Sequence, residues 1–435
     1  MTPPARQPFI YGRPVRGAEF LDREAELRAI FNRLRNGEST AIVGEPHIGK
    51  SSLLLWLAHA EAQRLHLGDE AQNLICSNLD LHPIGHDYTP RAFWEEALEP
   101  LTALGEAPLA PLLDRLAQTQ YARRALVRLF EHLGGQDRRL VLLLDEFERL
   151  LGHPNFKEAS FFALLRSLAT RTGGLAIITA SRLSVAEMNE RGHGLLDTGS
   201  PFFNNVIEVR LRPFDDATVS ALFGAAAGRL SADDQRFARR VAGRHPFLLQ
   251  AMAAVLVESA AAPDRLALAA EMFYDRISFH FDDLWRMLDD DTRTTAVILS
   301  LMELGGRALG RAFAYGEIEN VDAFGPELRR LAERGLAEQV DEGWQFDVEH
   351  LLLWRGGRWT VGAQAFAWWV RDVVVAGSRN VPAYDEWLAN KRYTVLLTQE
   401  QWDRLVGLVQ KAPDWAVRGV AGLARALVQE LVKKP

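Results

Sequence analysis

Apolar residues follow two alternating patterns over the first half of the chain. Between Arg23 and Leu34 they recur at Leu27, Ile30, Phe31 and Leu34, the spacing that lines one face of a helix. Next comes a short unbroken run, Thr40-Ala41-Ile42-Val43, closed by Gly44. Residues 74–81, 140–144, 175–180 and 206–211 are runs of the same kind, separated by helical patterns. Strands buried on both faces read as continuous apolar stretches, and strands alternating with helices make a parallel sheet covered on both sides. The pattern predicts an α/β fold with a parallel five-stranded sheet. Asp215-Asp216 then caps a mostly helical stretch that reaches about Asp290.

From Asp291 the pattern changes. Helical spacing at Thr295–Leu304 and Pro326–Arg334 leads into Gly335–Val340, a turn at Asp341–Gly343, and Trp344–Val348. Helices ending in a β-hairpin read as a winged helix. The remainder is helical, with Thr398-Gln399-Glu400-Gln401 in capping-box form. The expected organisation is an extended segment 1–18, an α/β domain 19–214, a helical lid 215–290, a winged helix 291–357 and a C-terminal helical module 358–435. Nine of the eleven tryptophans lie at or after Trp285, which reads as a packed helical core or a docking module for a partner or a second copy.

Composition narrows the class. The chain has 435 residues and a net charge of −7, so nothing predicts general affinity for nucleic acid or an anionic membrane. A single cysteine, Cys76, excludes an internal disulfide framework; in its apolar run it reads as a buried, inert thiol. No apolar leader opens the sequence and no run approaches a membrane span. The expected setting is the reducing cytoplasm.

The sharpest chemical signal is Gly44-Glu45-Pro46-His47-Ile48-Gly49-Lys50-Ser51, which matches G-x-x-x-x-G-K-[ST] between a strand and a helix that begins with Ser52. Glycines at both ends let successive N–H groups curl inward around phosphate, and the helix N-terminus adds positive potential. Lys50 would reach the β and γ phosphates of ATP, and Ser51 would ligate Mg²⁺. His47 reads as a solvated side chain. The strand Leu140–Leu144 ends in Asp145-Glu146, the form of a Walker B strand. Two acids cannot close so apolar a strand inside a core, so they belong at the sheet's C-terminal edge. There Asp145 would hold Mg²⁺ through water and Glu146 would polarise the attacking water. A third strand ends in Thr179-Ala180-Ser181-Arg182, and Arg182 could distinguish ATP from ADP through one contact to the γ-phosphate. ATP hydrolysis is the expected reaction, with ATP/ADP and Mg²⁺ as ligands.

Together with Phe20-Leu21-Asp22-Arg23-Glu24-Ala25-Glu26-Leu27 and Gly243-Arg244-His245-Pro246-Phe247-Leu248-Leu249, these motifs resemble STAND-class and archaeal-type P-loop ATPases of the AAA+-like group. The resemblance covers about residues 15–355. It implies that Asp22 and Arg23 lie near the adenine, that Pro246 packs on the nucleotide from the lid, and that a winged helix follows. A histidine in that winged helix can touch phosphate in some members; His350 matches the motif poorly. Arg191 is a weak candidate for an arginine finger acting in trans. Members often hydrolyse slowly and act as nucleotide switches.

The expectation is therefore a switch that couples nucleotide state to a protein partner or to self-assembly in signalling, stress or defence. A DNA-associated ATPase is the alternative, and a nucleotide-bound scaffold without turnover a third. The balance between the first two turns on charge. Arg329, Arg330 and Arg334 on the candidate recognition helix are diluted by Glu327 and Glu333, while Glu338, Asp341 and Glu342 would face DNA phosphates. From Thr292 to Asn380 acids outnumber bases 12 to 10, so DNA is not the favoured partner.

Overall fold

The computed structural model describes residues 7–157, 159–193, 206–226, 228–262, 265–289, 291–293, 295–296, 299–300, 325–340 and 358–370. These fall into two compact units, one of Gly12–Leu211 and the other of the described residues outside that range.

The first unit is built on five parallel strands: β1 (Thr40–Val43), β2 (Leu74–Asp80), β3 (Arg139–Asp145), β4 (Leu175–Ser181) and β5 (Ile207–Arg210). Their order is β2-β3-β4-β1-β5, so β4 separates the strand leading to the glycine loop from the strand ending in Asp145. All five expected strands are present, to within a residue or two at their ends. Successive side chains of β3 serve opposite cores. Leu140, Leu142 and Leu144 pack with Phe93, Phe130 and Phe162 on one face, while Val141 and Leu143 pack with Ile30, Leu53 and Leu54 on the other. Burial on both faces is why the sequence shows an apolar run in place of an alternation. On β2, burial pushes the Cys76 thiol up to about 12, and its sulfur accepts a hydrogen bond from Gln63 Nε2 at 3.1 Å, so it stays protonated and inert.

Helices dominate the second unit. Asp215 caps Asp216–Gly224 by accepting from Thr218 N at 2.7 Å, and Ser231 caps Ala232–Ala242. Pro246–Glu258 and the long helix Arg265–Met287 follow. The chain start joins this unit: Phe9 is buried, Gln7 Nε2 donates to Ala254 O at 3.2 Å, and Arg276 reaches the Tyr11 hydroxyl at 3.2 Å.

Of the segment expected to form a winged helix, the described parts are helical residues at 291–293, 295–296 and 299–300, the helix Gly325–Glu333 with the turn after it, and strand β6 (Ala337–Val340). The expected hairpin partner, Trp344–Val348, lies outside the described residues, as do the turn at 341–343 and His350. The antiparallel partner that β6 does have is β7 (Arg358–Val361), beyond the expected boundary at 357. A pairing across so long a connection leaves no two-residue turn signature to read. Glu338 also differs from expectation. It faces Arg239 at 2.8 Å and Arg244 at 3.2 Å, inside its own unit, instead of standing free on a wing. The next helix, Gln364–Trp369, brings Trp369 to within 5.4 Å of Trp285, both 1% exposed, so these two tryptophans fill a core. Residues 371–435, with Trp387, Trp402 and Trp415, lie outside the described residues. No helix among the described residues is long and apolar enough to cross a membrane.

Candidate active site

The site lies at the C-terminal edge of the first unit's sheet. Gly44 leaves β1, and its N–H donates to Ser181 O at 3.2 Å, which ties the loop to the end of β4. The two loop glycines answer different demands. A Cβ on Gly44 would meet Ile48 Cγ2 at 2.8 Å and Leu211 O at 3.2 Å, a steric limit. Gly49 has open space around it but sits at φ +106°, a conformational limit. Pro46 and His47 complete the bend; His47 is exposed, as expected, and Ile48 is buried beneath the loop. The helix Lys50–Leu57 follows, and its hydrogen-bond ladder opens with Leu53 N donating to Gly49 O at 3.0 Å. The N–H groups of Lys50, Ser51 and Ser52 thus belong to the first turn, where no intrahelical acceptor exists, and can serve an anion. The Ser52 hydroxyl is engaged otherwise, accepting from Val15 N at 3.1 Å.

Lys50 is 7% exposed, and its ammonium donates to Gly44 O at 2.8 Å and Glu45 O at 2.9 Å. Burial lowers its pKa, opposed by the negative field of Glu146, Glu148, Glu45 and Asp145. Asp145 ends β3 and accepts hydrogen bonds from the Ser51 side chain and from Glu146 N. Burial raises the pKa of Asp145 despite those bonds, and raises that of Glu146 with Glu148 adding to it. Glu146 stands at φ +53°, rare for a non-glycine residue, and this bend carries the chain from strand to helix with the carboxylate beside Lys50. Phe147 N donates to Ala180 O at 3.0 Å, which fastens the bend to β4. Arg182, directly after β4, is exposed and pairs with Glu148 at 3.3 Å. Ser51, Lys50, Asp145, Glu146 and Arg182 therefore come together at one edge, as the sequence predicts.

Asp22 and Arg23 both adopt positive φ, 63° and 74°. Asp22 is exposed, whereas Arg23 is buried and donates to Ile48 O at 3.3 Å, bracing the loop from its outer side. Pro246 belongs to the other unit, where it opens the helix Pro246–Glu258. Of Arg191, only the backbone, in the helix Val185–His193, is described.

Two residues were not singled out by sequence. Asp80 ends β2 as the register partner of Asp145 and contributes to its field. Its signal was available, an acid closing an apolar run as Asp145 does. Glu148 sits two residues past Glu146 and reads in sequence as a solvated helix acid, yet its side chain is 4% exposed.

Glycine loop, acidic strand end and intervening β4 together are the arrangement of a P-loop NTPase fold. Two family models match the chain over this architecture: an AAA domain over residues 33–187 and an AAA-like domain over residues 116–303. Over these residues the chain resembles AAA-type P-loop ATPases. No curated protein matches it. Among solved structures, a Walker-type ATPase of Pyrococcus abyssi is 16% identical, with a TM-score of 0.47 over 82% of this chain and 98% of that one. The Aeropyrum pernix ORC2 protein in ADPNP–ADP complexes is 13% identical, with a TM-score of 0.48 over 85% and 98%. A Cdc6p from Pyrobaculum aerophilum is 14% identical, with a TM-score of 0.37 over 82% and 96%.

Proposed function

We propose that this protein is an ATP-driven molecular switch, which binds ATP with Mg²⁺, hydrolyses it slowly, and couples nucleotide state to a protein partner or to self-assembly. The observation that carries this reading is the convergence of Lys50, Ser51, Asp145, Glu146 and Arg182 on one sheet edge around a buried ammonium. Lys50 would exchange its two loop carbonyls for phosphate oxygens, and the first-turn N–H groups would cradle the rest. The Ser51 hydroxyl and the Asp145 carboxylate suit a hard cation, and they already face each other. Mg²⁺ held there would neutralise charge on the β and γ phosphates. Glu146 would orient the attacking water, and Arg182 would read the γ-phosphate. Asp22 and Arg23 would border the adenine.

Output would pass through the helical unit to the tryptophan-rich C-terminal segment. The DNA-associated alternative needs free cations on the segment after residue 291. Arg330 there is paired with Asp289 at 2.7 Å, and Glu338 engages Arg239 and Arg244, which supports the partner reading over it.

The test is the nucleotide content and mass of the purified protein, wild type beside Lys50→Ala. ADP carried by the wild type and lost in the variant, with assembly driven by ATP–Mg²⁺ in light scattering, is the expected result. A wild type that binds no added nucleotide would overturn the proposal. Duplex binding that weakens with salt and survives at about 50 mM would instead favour the DNA-associated reading.

A further inference from the structure

We infer that Glu148 is the positioning residue of Arg182: it fixes the arginine's backbone at the sheet edge and competes with the γ-phosphate for the guanidinium, thereby setting how strongly the site prefers ATP over ADP. The inference rests on the reading of Arg182 as the γ-phosphate sensor.

One carboxylate oxygen makes two contacts of different character. Glu148 Oε1 accepts from the Arg182 backbone N–H at 3.2 Å and lies 3.3 Å from the guanidinium Nε. The backbone contact is hard to release, because the end of β4 is also held by Gly44 N to Ser181 O and by Phe147 N to Ala180 O. The side-chain contact is long and half exposed, with Arg182 50% accessible. Arg182 can therefore turn its guanidinium away while its Cα stays in place.

The other oxygen, Oε2, is buried with no hydrogen-bond partner. A carboxylate 4% exposed with one oxygen unsatisfied is costly, and a purely structural acid would have both oxygens bonded. Glu148 also lies within the fields of Lys50 and Glu146, so it stands at the reacting end of the pocket. With ADP bound, no γ-phosphate draws on the guanidinium, and Arg182 rests on Glu148. With ATP, phosphate and carboxylate compete for one cation. The side chain thus has two discrete positions, as a switch requires.

The experiment measures the affinity of the full chain for ADP and for ADPNP, each with Mg²⁺, by calorimetry. The proteins are wild type, Glu148→Gln, Arg182→Ala and the double variant. Glutamine keeps the shape and the acceptor for Arg182 N–H but removes the charge, and thermal melts verify folding. The expected result is a rise of about fivefold in the ADPNP:ADP affinity ratio for Glu148→Gln, and none on adding it to Arg182→Ala. If the rise persists without Arg182, Glu148 acts only through its field on Lys50 and the inference is overturned. A ratio lowered by Arg182→Ala but unmoved by Glu148→Gln overturns the inference alone. A ratio unmoved by Arg182→Ala overturns the sensor reading, and this inference with it.

Discussion

The Lys50 ammonium is held by the backbone of its own loop, 2.8 Å from Gly44 O, in a site where the lysine is 7% exposed. The loop curls around this cation, and a nucleotide phosphate would take the place of its two carbonyls. Lys50→Ala should lower ADP affinity by at least about 100-fold, the size of a charge-assisted bond lost in a desolvated pocket. The rise in melting temperature produced by ADP in the wild type should vanish. A variant that keeps that rise would mean the ammonium does not meet phosphate.

Asp145 and Glu146 are held in the fold at a cost to the protein. Burial raises the pKa of both. A carboxylate whose folded pKa lies above its unfolded value favours the fold fully at pH below the unfolded value, and that contribution is lost as pH rises through the folded value. At neutral pH both charged groups therefore oppose folding. In chelator and without nucleotide, Asp145→Asn and Glu146→Gln should each melt higher than the wild type at pH 7.5. The gap should narrow as pH falls into the carboxylate range. Turnover of ATP should be lost in both. Melting below the wild type at pH 7.5 would show that the charged forms are stabilised by the site.

Arg23 acts on the loop from outside, through Ile48 O at 3.3 Å and Glu26 at 3.3 Å. Arg23→Ala should loosen the loop and weaken ADP and ADPNP alike, by about tenfold, leaving their ratio unchanged. Calorimetry separates this from Arg182→Ala, which should change the ratio. An altered ratio in Arg23→Ala would place Arg23 at the γ-phosphate.

The parallel sheet and the phosphate loop were legible because their signals are local. A buried strand is a contiguous apolar run, and the loop is eight consecutive residues. Asp145 was legible for a related reason, since an acid at the end of such a run has one place to go. Asp80 carries the same signal more weakly, because Ser77 and Asn78 interrupt its run. Glu148 was not legible at all. Its meaning comes from Arg182, 34 positions away, and from burial that only the packed sheet edge supplies. The pairing of β6 with β7 is non-local in the same sense. In sequence Glu338 reads as a wing acid, and its partner Arg239 lies on a helix 99 positions earlier.

Gly243 opens the motif that runs into Pro246, and its conformation has a structural cause. It sits at φ +67°, and a Cβ there would collide with Gly362 O, in the turn after β7. Backbone faces backbone at this joint, so no side chain can yield. Its ψ of −145° places it in a region open essentially to glycine alone, so Gly243→Ala should cost about 1–3 kcal/mol in backbone strain and in addition force the β6–β7 pair off the helices. Gly228 is the control: its φ is +76°, but nothing lies within 4 Å of its Cβ. Gly228→Ala should show the strain of a positive φ without the clash. Calorimetric melting of the full chain should therefore place Gly243→Ala several degrees below Gly228→Ala. Equal melting temperatures would mean that the joint separates freely, and that Glu338 with its two arginines is too weak to hold the strands against the helices.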